Sequence, residues 1–312
     1  MKLSLDALLV LDAIEREGSF ALAAERLNRV PSALTYTVRK LEEDLDVLLF
    51  DRRGRKAELT VAGRDLLEQG RELLKAAGDL ECRVKRVATG WETELRIAVD
   101  GVLPLSMLWP FVAEFQKAEQ PTRLHFLHEI LGGSWEAIRD RRADIVIGAP
   151  GEMLASGDFA AHLLGELNML LAMAPTHPLA GLPEPLEDEQ IRQHRIIAVA
   201  DSSRHLPPRT LGILDGQETL TVPNLHSKIS AQQAGLGIGF LPEHLLRPFL
   251  SDGSLVTRRC SKPKPASPMF LLHPKRLEGN AMKWWVKALK APGWWQSVTQ
   301  MQAAEYSAYV ME

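Results

Sequence analysis

Residues 31–63 read PSALTYTVRKLEEDLDVLLFDRRGRKAELTVAG. Pro31 suits the first position of a helix, where its missing N–H costs nothing. Ala33, Leu34, Val38, Leu41 and Leu45 fall roughly on one side of that helix, which predicts its buried face. Ser32, Thr35, Tyr36 and Arg39 share another face through i+3 and i+4 spacing. That polar face begins at the helix N-terminus, the end that enters a major groove in helix-turn-helix readers. The runs LLF (48–50) and AELT (57–60) around DRRGRK predict a hairpin with Gly54 at its turn. A tip bearing Arg52, Arg53, Arg55 and Lys56 suits a phosphate or minor-groove contact, as a wing makes. Alone, such a charge run is usually a solvated loop; after a helix with a polar face the wing is favoured.

Upstream, Leu5, Leu8, Leu9, Leu11, Ala13 and Ile14 predict a helix over about 5–16, with Gly18 as its stop. Ser19 then caps a second helix, FALAAERL, whose Ala21, Ala23 and Ala24 allow close packing. Downstream, Thr60 caps a long helix through about Val87. Along it Leu66, Gly70, Leu73, Ala77, Leu80, Val84 and Val87 alternate four-three spacing over about three heptads. This stripe predicts a seam for a second copy, because a reader of two half-sites needs a two-fold linker. The competing reading packs the stripe on its own chain.

At 312 residues the chain holds two or more domains. Its formal net charge is −3, and residues 1–90 carry 16 Lys and Arg against 16 Asp and Glu. Global charge therefore does not drive nucleic-acid binding; the placement of Arg26, Arg29, Arg39, Lys40 and the hairpin bases between 26 and 56 has to do so. Cys82 and Cys260 are the only cysteines, with neither a disulfide framework nor metal spacing, which fits a reducing compartment. The first residues lack a signal-peptide pattern and no apolar run approaches ~20 residues. A cytoplasmic protein with no membrane partner is expected.

Beyond ATGWET (88–93) the pattern changes. LRIAV (95–99), RLHFLHEI (123–130), ADIVIG (143–148), MLLAMA (169–174) and RIIAVA (195–200) read as buried strands, with helices at 104–118 and 134–142 between them. Alternating strands and helices predict a mainly parallel α/β sheet. HSKISAQQAGLGIGFLP (226–242) reads as helix, Gly-rich turn and strand; SPMFLLHP (267–274) as a strand; GNAMKWWVKALKA (279–291) as a late helix.

GSFALAAERL, the third helix ending in LEEDL, then LF-D-R and LT-V-A-G together resemble the winged helix-turn-helix of LysR-type transcriptional regulators. The resemblance extends over roughly residues 3–292. It departs from the family at Pro31, where Gln is frequent, at Thr35 for Ser, and at Asp46 for Gly. It implies a winged helix-turn-helix over 1–60, a dimerising linker helix over 61–90, an effector-binding domain over 91–295, and a tail, 296–312, with no assigned role. The effector domain would be built like periplasmic binding proteins, with one α/β lobe at about 92–164 plus 268–292 and another at about 165–267. Its cleft would be walled by Gly101, Val102, Leu103, Leu131 and Gly132, with Ser202 and Asn224 from the second lobe. Helix N-termini there would offer N–H groups to an anionic or polar effector. The resemblance implies a regulator, not an enzyme. Its partners would be double-stranded DNA, a small-molecule effector and further copies of itself, as a dimer or tetramer, with no cofactor and no metal.

Other signals are weaker. AGLGIG lacks GxGxxG spacing and follows a helix. His125 and His128 would lie on opposite faces of a strand. Asp201, Ser202, Ser203 and His205 invite a hydrolase reading, but no GxSxG is present. Trp135 reads as core in preference to an effector stack. One of Trp284 and Trp285 should be partly exposed, since neighbours cannot share a helix face. The alternative function is a cleft enzyme or solute-binding protein with an N-terminal accessory module. Salt-dependent binding to the chain's own upstream DNA separates the two.

Overall fold

The computed structural model describes residues 2–51, 57–117, 122–151, 159–210 and 212–300. It divides into two compact units, Met1–Ala88 and Thr89–Glu312.

The first unit contains α1 (Leu5–Glu17), α2 (Phe20–Arg26), α3 (Pro31–Leu45), β1 (Phe50–Asp51), β2 (Glu58–Leu59) and α4 (Val61–Thr89). Local chemistry sets these boundaries. Ser4 and Ser19 accept from the N–H groups of Ala7 and Leu22 at the starts of α1 and α2, and Gly18 ends α1 at φ 69°. Asp46 takes the left-handed position after α3, at φ 56°. That position is costly for most side chains but tolerable for Asp. Thr60 accepts from Gly63 N–H at 3.0 Å and donates to Leu48 O at 2.8 Å, so one hydroxyl caps α4 and holds the chain before β1.

Leu34, Val38 and Leu41 of α3 meet Val10, Leu11 and Ile14 of α1 and Ala23 and Ala24 of α2 in one core. Two residues expected on the buried side, Ala33 and Leu45, are exposed. Glu42 is buried instead, its carboxylate accepting from Leu49 N–H (2.8 Å) and Phe50 N–H (3.2 Å). A buried carboxylate is tolerated because backbone donors of the hairpin satisfy it. β1 and β2 pair antiparallel, Phe50 opposite Leu59 and Asp51 opposite Glu58. The expected turn at Gly54, with Arg52, Arg53, Arg55 and Lys56, lies outside the described residues.

The second unit runs β3 (Glu94–Asp100), α5 (Trp109–Lys117), β4 (Arg123–Glu129), α6 (Gly132–Arg139), β5 (Ile145–Pro150), β6 (Phe159–Leu167), β7 (Met169–Met173), α7 (Asp188–Arg192), β8 (Ile196–Val199), β9 (Thr219–Val222), α8 (Leu225–Gln233), β10 (Gly239–Pro242), α9 (Glu243–Ser251), β11 (Val256–Arg258), β12 (Ser267–Pro274), α10 (Asn280–Leu289) and α11 (Trp294–Gln300). One lobe is a five-stranded sheet ordered β4-β3-β5-β12-β6. The other holds the sheet β10-β7-β11 and the pair β8-β9. The chain passes between lobes twice, from β6 into β7 and from β11 into β12.

The five-stranded sheet is mixed and the three-stranded one antiparallel, which corrects the expected mainly parallel sheet. β3 pairs parallel with β4 and β5, and β8 with β9. β12, however, lies antiparallel to both β5 and β6, and β7 antiparallel to β10 and β11. β12 returns from the other lobe without a helical crossover, so nothing forces it parallel. β6, β9 and β11 were not legible as strands: β6 is largely exposed along its length, and the other two span four and three residues.

Trp285 is fully buried among Phe111, Phe115 and Phe126, while its neighbour Trp284 is only half-buried, as adjacent positions on one helix require. Trp135 is also buried, against Phe159 and Phe270, with its indole N–H donating to Pro150 O at 3.0 Å. No helix among the described residues is long and apolar enough to cross a membrane.

Candidate functional site

The candidate DNA-facing surface is α3. Ser32, Thr35, Tyr36 and Arg39 are all exposed. Tyr36, at 68% exposure, has no packing reason to be aromatic. Thr35 donates to Pro31 O within its own helix (3.0 Å), and Arg39 pairs with Glu43 at 2.9 Å one turn on. Such an exposed i,i+4 pair is worth only a few tenths of a kcal/mol, about 0.3–0.5, so a phosphate or base can take the guanidinium from it. Val30 provides no side-chain cap, leaving the first turn of α3 without a side-chain acceptor. Arg26 and Arg29, by contrast, are engaged by Glu17 (2.6 Å) and Asp6 (2.7 and 3.1 Å). Arg29 holds the Asp6 carboxyl below its usual range. Both contacts are ion pairs to residues of α1, and they brace α2 and the turn before α3 against that helix.

On α4, Gly63, Leu67 and Gly70 face inward. A Cβ on Gly70 would lie 2.6 Å from Leu8 Cδ2, so this glycine admits α1 of its own chain. Farther along, Leu73, Leu80, Val84 and Val87 are 50–79% exposed. The stripe thus divides: its N-terminal end packs internally and its C-terminal part is an apolar row open to solvent.

In the second unit the two lobes face each other across a small cleft. Asp100, Gly101, Val102, Ile130 and Leu131 form one wall; Met169, Val199, Leu225, Lys228 and Phe240 form the other. The first wall follows the C-terminal ends of β3 and β4, where open α/β sheets place their ligands. The enclosed volume is about 60 Å³, room for a few waters or a small group. Leu131 sits at φ 54°, a strained conformation for an aliphatic residue, held by its N–H bond to Asp100 Oδ2 (3.1 Å).

The segment after β8 is tied to the first lobe. Asp201 accepts from Gly132 N–H (3.2 Å), Gly133 N–H (3.1 Å), Ser203 N–H (2.8 Å) and Arg209 N–H (2.7 Å). Its carboxylate therefore fills the N-terminus of α6. Glu136, fully buried on that helix, accepts from the N–H groups of Arg204, His205 and Leu206. Glu129 pairs with Arg142 and accepts from the Ser202 hydroxyl. A second tie is His244 of α9, whose Nε2–H donates to Val102 O at 3.0 Å. Burial pulls that imidazole down to about 4, so it is neutral.

Two charged groups line the cleft. Asp100 is buried; burial pushes its carboxyl up to about 7, although Ser134 Oγ (2.7 Å), Val102 N–H and Leu131 N–H (both 3.1 Å) all donate to it. Lys228 is 5% exposed, and burial pulls its ammonium down to about 8.

Comparison with known proteins follows this division of the chain. The model of bacterial regulatory helix-turn-helix proteins of the lysR family matches residues 5–64, and that of the LysR substrate binding domain matches residues 88–292. The chain belongs to the LysR family of regulators. The uncharacterized HTH-type transcriptional regulator YeeY of Escherichia coli (strain K12) is 41% identical over 91% of this chain and 92% of its own length. The probable HTH-type transcriptional regulator YhaJ of the same organism is 39% identical over 92% and 96%. Among solved structures, full-length CbnR complexed with its target DNA has a TM-score of 0.61 at 17% identity, over 92% of this chain and 99% of that one. The full-length virulence activator AphB of Vibrio cholerae has 0.56 at 20%, over 92% and 98%. At these identities the structures speak for the fold alone. Membership makes the protein a DNA-binding transcriptional regulator with a substrate-binding domain, not an enzyme.

In this LysR-family chain, Gly101, Val102 and Leu131 line the cleft, and four other residues expected there stand elsewhere. Leu103 is buried in the first lobe's core. Gly132 gives its N–H to Asp201, and a Cβ on it would lie 2.8 Å from that carboxylate. Ser202 is consumed between Glu129 and Ile130. Asn224 caps α8, accepting from Ser227 N–H at 2.8 Å. The second wall went unseen: Met169, Val199, Lys228 and Phe240 read as ordinary strand or helix residues. A lysine amid ISAQQ was the one signal that could have marked it.

Proposed function

We propose that this regulator reads its operator with Ser32, Thr35, Tyr36 and Arg39 of α3, with Arg52, Arg53 and Arg55 of the hairpin on the flanking backbone. It dimerises along the exposed row of α4 and binds its effector between the two lobes of the second unit. The cytoplasm is the compartment where these partners meet. The observation that carries the effector reading is the cleft itself: each lobe supplies five lining residues. A ligand held by both walls binds one lobe arrangement better than another, which is what a population shift requires.

The test is footprinting of the purified protein on the DNA upstream of its own gene, at graded salt, with and without a metabolite panel prescreened by melting temperature. A protected site whose affinity or extent changes with one metabolite is expected. Equal binding to random duplex at every salt concentration would overturn the reading.

A further inference from the structure

We propose that Lys228 anchors the carboxylate of the effector, and that the effector is a monocarboxylic acid with a compact apolar body. This rests on the cleft being the effector site and names the chemistry it selects.

At two helix N-termini beside the cleft, side chains of the protein already accept N–H groups. Asp201 takes Gly132 N–H and Gly133 N–H at α6, and Asn224 takes Ser227 N–H at α8. A phosphate group is held by several such donors together, and these three are spent. Lys228 remains. Among the described residues no carboxylate lies within 4.0 Å of its Nζ and no hydrogen bond satisfies it. Asp100, on the opposite wall, is committed to Ser134, Val102 and Leu131. Gly239 clears the path of the lysine: a Cβ there would lie 2.8 Å from Lys228 Cε.

A largely buried ammonium without an ion pair lowers stability, and folds retain such groups where they act. A carboxylate entering the cleft would pair with it in a low-dielectric site, where a charge-assisted hydrogen bond is strong. The remaining surfaces, Val102, Met169, Val199, Leu225 and Phe240, are apolar and suit a hydrocarbon body, which a space of about 60 Å³ keeps small. One cation matches one negative charge.

The experiment follows the melting temperature of the full-length protein at constant ionic strength. The probes are millimolar butyrate, benzoate, the matched amides and inorganic phosphate. At least one acid should raise the melting temperature saturably, with its amide and phosphate inert. Lys228→Met should melt above wild type without ligand, because a buried charge is gone, and should lose the acid's shift; Lys228→Arg should retain part of it. An amide as effective as its acid, a response to phosphate alone, or no response to either acid would overturn the assignment. So would a Lys228→Met protein that melts lower or keeps the shift. Met169→Trp, which fills the same cleft, separates the two ideas. If neutral amides bind and Met169→Trp abolishes them, the cleft stands and only the anion assignment falls. If acid binding survives Met169→Trp, the ligand sits elsewhere and both fall.

Discussion

The Ser202 hydroxyl donates to the Glu129 carboxylate at 2.6 Å and accepts from Ile130 N–H at 2.8 Å. One side chain thereby pins the segment after β8 to the end of β4. Glu129 is 5% exposed, so losing a donor there is not repaired freely by water. We expect Ser202→Ala to destabilise the second unit by ~1–3 kcal/mol, the range for a partner removed from a buried polar group. All seven tryptophans lie in that unit, so their fluorescence during urea unfolding reports it alone. A midpoint equal to wild type would show that the latch adds nothing to stability.

Tyr36 is exposed on the polar face of α3 without an internal partner that explains it. Tyr36→Ala should weaken specific operator binding by ~1–3 kcal/mol and leave non-specific binding nearly intact. Competition gel shifts with operator and random duplex check this. Parallel losses on both would assign Tyr36 to the backbone or to folding.

Leu73 is 50% exposed, so Leu73→Glu should cost little stability within one chain. In a two-helix seam it would bury a charge. Sedimentation velocity should show dissociation toward monomer, with weaker operator binding. An unchanged sedimentation profile would remove this row from the interface.

His244 and Asp100 give the second unit opposing acid responses. The imidazole falls from 6.5 to about 4 on folding, so the unfolded chain binds a proton that the native one refuses. Its contribution is full above pH 6.5 and is lost as pH falls toward 4. Asp100 rises from 3.8 to about 7, so its contribution is full at low pH and is lost as pH rises through that window. His244→Gln keeps a donor for Val102 O and removes only the first effect. Relative to wild type, the variant should gain stability at about pH 5 over about pH 7.5 in urea unfolding. A wild-type pH profile would show that His244 does not titrate as its burial implies.

Helices α1 to α4 were legible because their determinants are local. Ser19, Pro31, Asp46 and Thr60 act within a turn of the boundary they set, and the i+3, i+4 pattern marks which side is apolar. The exposed face of α3 followed for the same reason. Local spacing could not show that Glu42 would be buried in place of Leu45, since that depends on where Leu49 and Phe50 return to the helix. Nor could it assign Gly70, whose neighbour is Leu8, far back in the chain.

For the cleft, the ends of β3 and β4 were readable because strand termini mark ligand positions in α/β sheets. Asp201, Ser202 and Asn224 are polar groups at element ends, and in the sequence they look as available as any ligand contact. Tertiary structure decided that they bond to the protein itself, and that Lys228 has no such partner among the described residues. A polar side chain's role is set by which distant donors and acceptors folding brings within hydrogen-bond reach, and that is a property of the packed chain.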